Sequence, residues 1–148
     1  AGVRELADHS YSAGEMGAVI SSGSFHTDGM VIIPASMRTV AAIAHGFGEH
    51  LIHRAAEVIL KERRKLVLVP RETPLAEIHL ENLLKLARMG AVILPPDPAF
   101  YNHPKNIDDI INHIVGRVCD QFCLKTKLSV RWDGNMKGDG VVPLHPKN

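Results

Sequence analysis

The chain is poor in the residues that would make several function classes easy to argue. Only two of its 148 residues are cysteine, Cys119 and Cys123, four apart in one helical pattern. That spacing does not suit a disulfide, so the expectation is reduced core thiols and a cytoplasmic setting. Aromatic residues make up 5% of the chain, with one tryptophan, which weakens a reading based on the stacking that single-stranded nucleic acid uses. The formal net charge of +1 gives no general pull toward nucleic acid or an anionic membrane. No apolar run approaches the roughly 18 residues that span a bilayer, and no basic-then-apolar signal opens the chain. GxGxxG, the P-loop, the nucleophile elbow and CxxC are missing. The nine histidines are scattered, and His50 and His53 lack a third ligand at a metal-site spacing, so no metal is expected.

What remains is an ordinary globular composition, 45% apolar and 22% charged, in a length that suits one domain with a real core. Residues 1–148 read as a single domain with a polar tail over 125–148. Residues 1–28 are the least regular part, with short helices expected at Val3–Ala7 and Ala13–Ile20 and a polar loop from Ser21 to Gly29. Three continuous apolar runs then read as buried strands: Met30–Ile33, Leu66–Val69 and Ala91–Leu94. Each is halted by proline: Pro34, Pro70, Pro95. Helical patterns alternate with them. Ser36 caps the first and Gly46 ends it; a second runs from about Glu49 to Arg64. Thr73-Pro74 reads as the start of a third, which continues to Met89. Asn106 caps the last, whose stripe holds Ile107, Ile110, Ile111, Ile114, Val115, Val118 and Phe122. The alternation predicts an α/β fold, a parallel sheet with helices on both faces.

Ligands of such sheets bind outside the carboxyl ends of the strands. Arg71 and Glu72 follow the most apolar strand with no spacer, where Gly, Asn or Ser would be usual in a plain loop. They read either as a surface turn or as an anion contact with an acid/base carboxylate. Ser36-Met37-Arg38-Thr39 opens a helix, so Ser36 is a simple cap, a phosphate contact, or both. Arg54 and Lys61 lie two turns apart on one helix face, as a solvated stripe or as site cations. Arg117 borders the last apolar stripe, and a long cation there commonly snorkels to water. Asp108-Asp109 is an acidic first turn rather than a magnesium motif.

Several long stretches in order resemble the flavin prenyltransferase (UbiX) family: SGSFHTDGMVIIPASMRT, HLIHRAAEVILKERRKLVLVPRETPLAEIHLENLL, MGAVILPPDPAFYNHP and IDDIINHIVGRVCDQF. The resemblance spans about residues 20–124 and continues to Arg131-Trp132. It implies a flavodoxin-like (Rossmann-like) sheet that binds FMN. It further implies metal-independent transfer of a dimethylallyl group from dimethylallyl monophosphate to the reduced flavin. The product, prenylated FMN, would serve a UbiD-type aromatic acid decarboxylase. The assembly implied is a homo-oligomer, commonly a dodecamer, with sites at subunit contacts. By position, Ser36, Met37, Arg38, Thr39, Arg71, Ser22 and Trp132 match flavin-binding residues. Glu72, Lys61 and Arg54 match catalytic ones, and Tyr101 and Arg117 match those that hold the prenyl phosphate. Alternative readings are an FMN-binding accessory subunit without transferase activity and a flavin-dependent cysteine decarboxylase-like protein. The Tyr101–Arg117 pair and the PRETP motif fit the latter badly. The family pattern normally opens with a strand, a GxSG loop, a helix and a second strand. This chain begins after them, which predicts an unpaired strand edge and a chain that alone folds poorly or binds FMN weakly. Ala35 stands where a cysteine is common, a mild change.

Overall fold

The computed structural model describes residues 2–128. Strand β1 (Gly29–Ala35), helices α1 (Met37–His45) and α2 (Leu51–Lys61), strand β2 (Lys65–Pro70), helix α3 (Glu77–Arg88), strand β3 (Val92–Ile93) and helix α4 (Ile107–Gln121) follow in order. The sheet is parallel, in the order β1-β2-β3. Pairing runs from Gly29↔Lys65 to Ile32↔Leu68, slips, and resumes at Ala35↔Pro70.

β2 carries the core because it is covered on both faces, and its side chains alternate between them. Leu66 and Leu68 face a cluster with Met37, Val40 and Ile43 of α1, Ala56 and Ile59 of α2, and Leu86 of α3. Val67 and Val69 face Val118 of α4, with Phe122 packed alongside. Three helices therefore cover one face and α4 the other. Among the described residues β1 pairs on one side only, and its Val31 and Ile33 are exposed. No helix among them is long and apolar enough to cross a membrane.

Local chemistry sets the helix ends. The Ser36 hydroxyl accepts the Thr39 N–H at 3.1 Å and Asn106 Oδ1 accepts that of Asp109 at 2.9 Å, as the sequence predicts. Gly46 takes the left-handed conformation with φ of 66° and stops α1, and the following Phe47 N–H returns to the Ala42 carbonyl at 2.8 Å.

Other expectations are corrected. Ala13–Ile20 is not a helix; it is a series of turns ending in a 3-10 turn at Val19–Ser21. Gly14 and Gly17 raise the entropic cost of helix there too far. α2 is shorter than its pattern, because Arg63 turns the chain with a left-handed φ of 56°. Thr73-Pro74 does not start α3, which begins at Glu77. A Thr-Pro pair also suits a turn, and the His79 ring instead accepts the Ala76 N–H at 3.1 Å. β3 pairs through two residues, although the Leu94 N–H still reaches the Leu68 carbonyl at 2.8 Å. The stripe of α4 is only partly buried: Ile107 and Ile111 face outward. Both cysteines are free, but Cys123 is exposed rather than in the core.

Gly29 sits where no side chain fits. Its φ is 154°, and a Cβ would collide with the Lys65 carbonyl oxygen and lie 2.7 Å from the Phe122 ring. Gly29→Ala is expected to destabilise the fold by about 2 kcal/mol through this overpacking. Chemical denaturation checks it, and a midpoint equal to that of the parent protein refutes the account.

Candidate functional site at the strand ends

The pairing of Ala35 with Pro70 places the next residues, Ser36 and Arg71, side by side at the carboxyl edge of the sheet. Ser36 and Thr39 bring their hydroxyls to 3.0 Å across the first turn of α1. The first N–H groups of that helix lack acceptors within it and carry the positive end of its dipole. Arg71 and Glu72 are exposed, and neither has a hydrogen-bond or ion-pair partner among the described residues. Two hydroxyls, helix N–H groups and an uncommitted guanidinium form a donor set suited to a phosphate group.

Not every expected side chain joins this set. Met37 is buried in the core beneath it, so only its backbone is available. Arg38 turns toward the α1–α2 connection, where its guanidinium meets Glu49 at 3.0 Å.

Tyr101 lies on a 3-10 turn, Phe100–Asn102, in the chain that leaves β3, and is 58% exposed. Asn102 ties that turn to His113 of α4 through a 3.2 Å contact from its side-chain amide nitrogen to ring Nδ1. His113 and Arg117 are four apart and share a helix face. The Asn102–His113 contact borders a cavity of about 340 Å³ lined also by His103, Lys105 and Asp109; Tyr101 and Arg117 flank these residues in sequence but do not line the cavity. Arg117 itself is half-exposed and donates to Asp120 at 2.9 Å.

Ser22, Arg54 and Lys61 form a third group. Arg54 Nε donates to the Ser21 carbonyl at 3.3 Å and lies 3.9 Å from Glu57. Ser22 and Ser24 hydroxyls meet at 2.9 Å. Lys61 pairs with Glu62, and this contact holds the exposed Glu62 carboxyl below its usual range, first through the hydrogen bond and then through charge. This loop precedes Gly29 and Lys61 precedes Lys65, and those two residues pair at the amino edge of the sheet. The seven residues of β1 separate that edge from Ser36 by roughly 20 Å, at about 3.3 Å per residue. One chain therefore does not gather all the expected residues into one cleft. Trp132 lies outside the described residues. Among the described residues no group of three or more His, Cys, Asp or Glu is placed to hold a metal ion.

Sequence reasoning missed the role of Arg64 and the stacked histidine pair at the head of α2. His50 and His53 stack with ring centroids 3.7 Å apart, and His53 is 2% exposed. The Glu49 N–H donates to His53 Nδ1 at 3.4 Å, while His53 Nε2 and His50 Nδ1 are buried without partners. Burial lowers the His53 pKa from its ordinary 6.5; His50 and Arg38 lower it further, against an opposing pull from Glu49.

The flavoprotein family pattern matches residues 5–119, most of this α/β unit. The chain belongs to that family, and within it to the flavin prenyltransferases of the UbiX type. It is 60% identical over 130 residues to the flavin prenyltransferase LpdB of Lactiplantibacillus plantarum, covering 88% of this chain and 70% of that one. It is 51% identical to a probable UbiX-like flavin prenyltransferase of Bacillus subtilis, with coverage of 93% and 68%. Among solved structures, AnUbiX (PadA1) in complex with FMN and dimethylallyl pyrophosphate superimposes with a TM-score of 0.87 at 55% identity, covering 89% of this chain and 70% of that one. The dodecameric FMN-dependent UbiX-like decarboxylase of Escherichia coli O157:H7 does so with a TM-score of 0.87 at 57% identity, covering 89% and 71%.

A histidine held neutral by the fold binds fewer protons than the unfolded chain does, so stability rises with pH across its titration. The contribution of His53 is full above the unfolded value of 6.5 and is lost as pH falls from there toward the lower folded value. Unfolding should therefore occur at lower temperature at about pH 5 than at about pH 8, with a smaller difference in His53→Asn. Equal pH slopes in the two proteins would remove His53 from the explanation.

Proposed function

We propose that the protein is a flavin prenyltransferase that moves a dimethylallyl group from dimethylallyl monophosphate to reduced FMN. The observation that carries the reading is the strand-end pairing that sets the Ser36–Thr39 helix start beside Arg71, which has no partner among the described residues, in a chain of UbiX-type sequence. Ser36, Thr39 and the first N–H groups of α1 would hold the FMN phosphate, with Arg71 on the same anionic ligand. When bound, reduced FMN supplies the electron-rich ring that accepts the allyl carbon.

The residues of the chain act mainly on charge. As the allylic C–O bond breaks, its electron pair leaves with the phosphate. Fixed cations stabilise that growing negative charge without a metal. Arg117 is the cation of the Tyr101 side and Tyr101 the hydroxyl donor. Arg54 and Lys61 lie at the other edge of the sheet, so they would enter the cleft from a neighbouring copy. We therefore read the working form as a cytoplasmic homo-oligomer, as large as a dodecamer, with shared sites. Ring closure on a bound flavin would need a nearby group to accept a ring proton. Glu72, exposed next to Arg71, is the base we assign to it, with the released phosphate as the other acceptor in reach. Prenylated FMN would pass to a UbiD-type decarboxylase.

Incubation of the protein with reduced FMN, dimethylallyl monophosphate and EDTA should give a flavin heavier by one prenyl group. A flavin of unchanged mass sinks the proposal. Glu72→Gln should keep flavin affinity and lose about 100-fold in turnover, the usual scale for a lost acid/base group; unchanged turnover takes Glu72 out of the mechanism. Arg117→Ala should raise the KM for the prenyl phosphate by about tenfold, as expected for one charge-assisted hydrogen bond, and an unaltered KM rejects that role.

A further inference from the structure

Arg64 follows the left-handed turn at Arg63 and lies half-buried between α2 and β2. Its Nη1 donates to the Phe25 carbonyl at 2.6 Å and its Nη2 to the Gly23 carbonyl at 2.7 Å. With the Arg54 bond to Ser21, the alternate carbonyls of Ser21, Gly23 and Phe25 each receive a guanidinium N–H. Ser22 and Ser24, the residues between them, are left exposed with their hydroxyls together. Gly23 is pressed under the end of α2, where a Cβ would clash with Glu62 and lie 2.7 Å from Lys61 Nζ. The planar guanidinium aims its two terminal nitrogens at two carbonyls in a fixed geometry, which an ammonium, a compact charge on a flexible stem, does not reproduce.

We infer that Arg64 is a positioning residue, which fastens the Ser21–Phe25 loop to the end of α2; because this loop lies against Lys61 at the edge of the sheet opposite Ser36, Ser22 is reassigned from the flavin to the prenyl phosphate that Lys61 faces. The inference rests on the transferase reading above. It adds that substrate affinity is set by a residue that touches neither substrate nor flavin. The bonds to neutral carbonyls are charge-assisted, which makes them stronger than ordinary backbone contacts. They also act on a segment with little regular structure of its own, bounded by a 3-10 turn and β1. Without them the loop is free to leave the helix end, and Ser22 goes with it.

The test uses Arg64→Lys, which keeps the charge and removes the fork, with Arg64→Ala and Ser22→Ala beside it. Arg64→Lys should speed hydrogen exchange of the loop amides and raise the KM for dimethylallyl monophosphate by about tenfold, the scale of one lost charge-assisted bond. kcat should change little, and Arg64→Ala should be at least as impaired as Arg64→Lys. Adding Ser22→Ala to Arg64→Lys should raise KM no further, because both act through one contact. Unchanged exchange refutes the fastening. Faster exchange with an unchanged KM, or KM effects that multiply in the double variant, refutes the positioning role. A parent protein that makes no prenylated flavin defeats the transferase reading, and with it the link from loop to substrate, while exchange still reports whether the loop is fastened.

Discussion

Parallel pairing of β1 with β2 constrains everything else in this molecule. Two parallel strands need a long crossover, and α1 with α2 supplies it. The crossover must leave at the carboxyl edge and return at the amino edge, so it sorts the polar residues before any side chain is considered. Ser36 falls at the first edge and Lys61 near the second. Proline has no N–H to continue a ladder; Pro34 lies inside β1, which resumes pairing at Ala35 rather than stopping at Pro34 as its sequence suggested, whereas Pro70 is the last residue of β2. Pro34 and Pro70 stand where the β1–β2 ladder slips and ends, and the chain turns out of the sheet directly after it. That is why a run as apolar as Leu66–Val69 meets Arg71 and Glu72 with no spacer between them.

Charge is distributed just as unevenly. Arg38, Arg54, Lys61 and Arg117 each have a carboxylate within ion-pair distance, and Arg64 is spent on carbonyls. Arg71 has no such partner among the described residues, and the helix beside it adds further positive potential. The exposed surface pairs contribute little to stability, so their value lies in aim. Glu49 draws Arg38 away from the helix start, which leaves the anion-binding edge to Ser36, Thr39 and Arg71. Glu62 holds Lys61 against the loop. An arginine left unneutralised next to a helix N-terminus is poorly explained by folding and well explained by an anionic ligand.

The elements legible in the sequence were those whose signals are local. Ser36, Gly46 and Asn106 announce helix ends because the cap is made by the residue itself, and each strand was visible as an unbroken apolar run. Elements failed where a long-range balance decides. Gly14 and Gly17 break the helix expected over Ala13–Ile20. Ile107 and Ile111 continue the periodicity of α4, yet both are exposed among the described residues. For the site, the residue list came from motif resemblance, since periodicity alone left Arg71 and Ser36 with two readings each. Arg64 was hidden because cations at a helix end are usually explained by the dipole. The signal that could have found it is the small-residue run Ser21-Ser22-Gly23-Ser24, which needs an outside donor to fix its shape.

The separation of the two edges has a consequence for how such a site can work. β1 is rigidly paired and about 20 Å long by its residue count, and α2 is packed on the same core, so no loop motion within one chain brings Lys61 to Ser36. Catalysis that needs both must borrow one from another copy. Sharing a site in this way would make affinity for the prenyl phosphate depend on assembly, whereas the proposed flavin phosphate contacts would stay within one chain. The two ligands of the proposed reaction would then respond differently to dilution. The flavin contacts of Ser36, Thr39 and Arg71 would survive it. The phosphate cations of α2 would not.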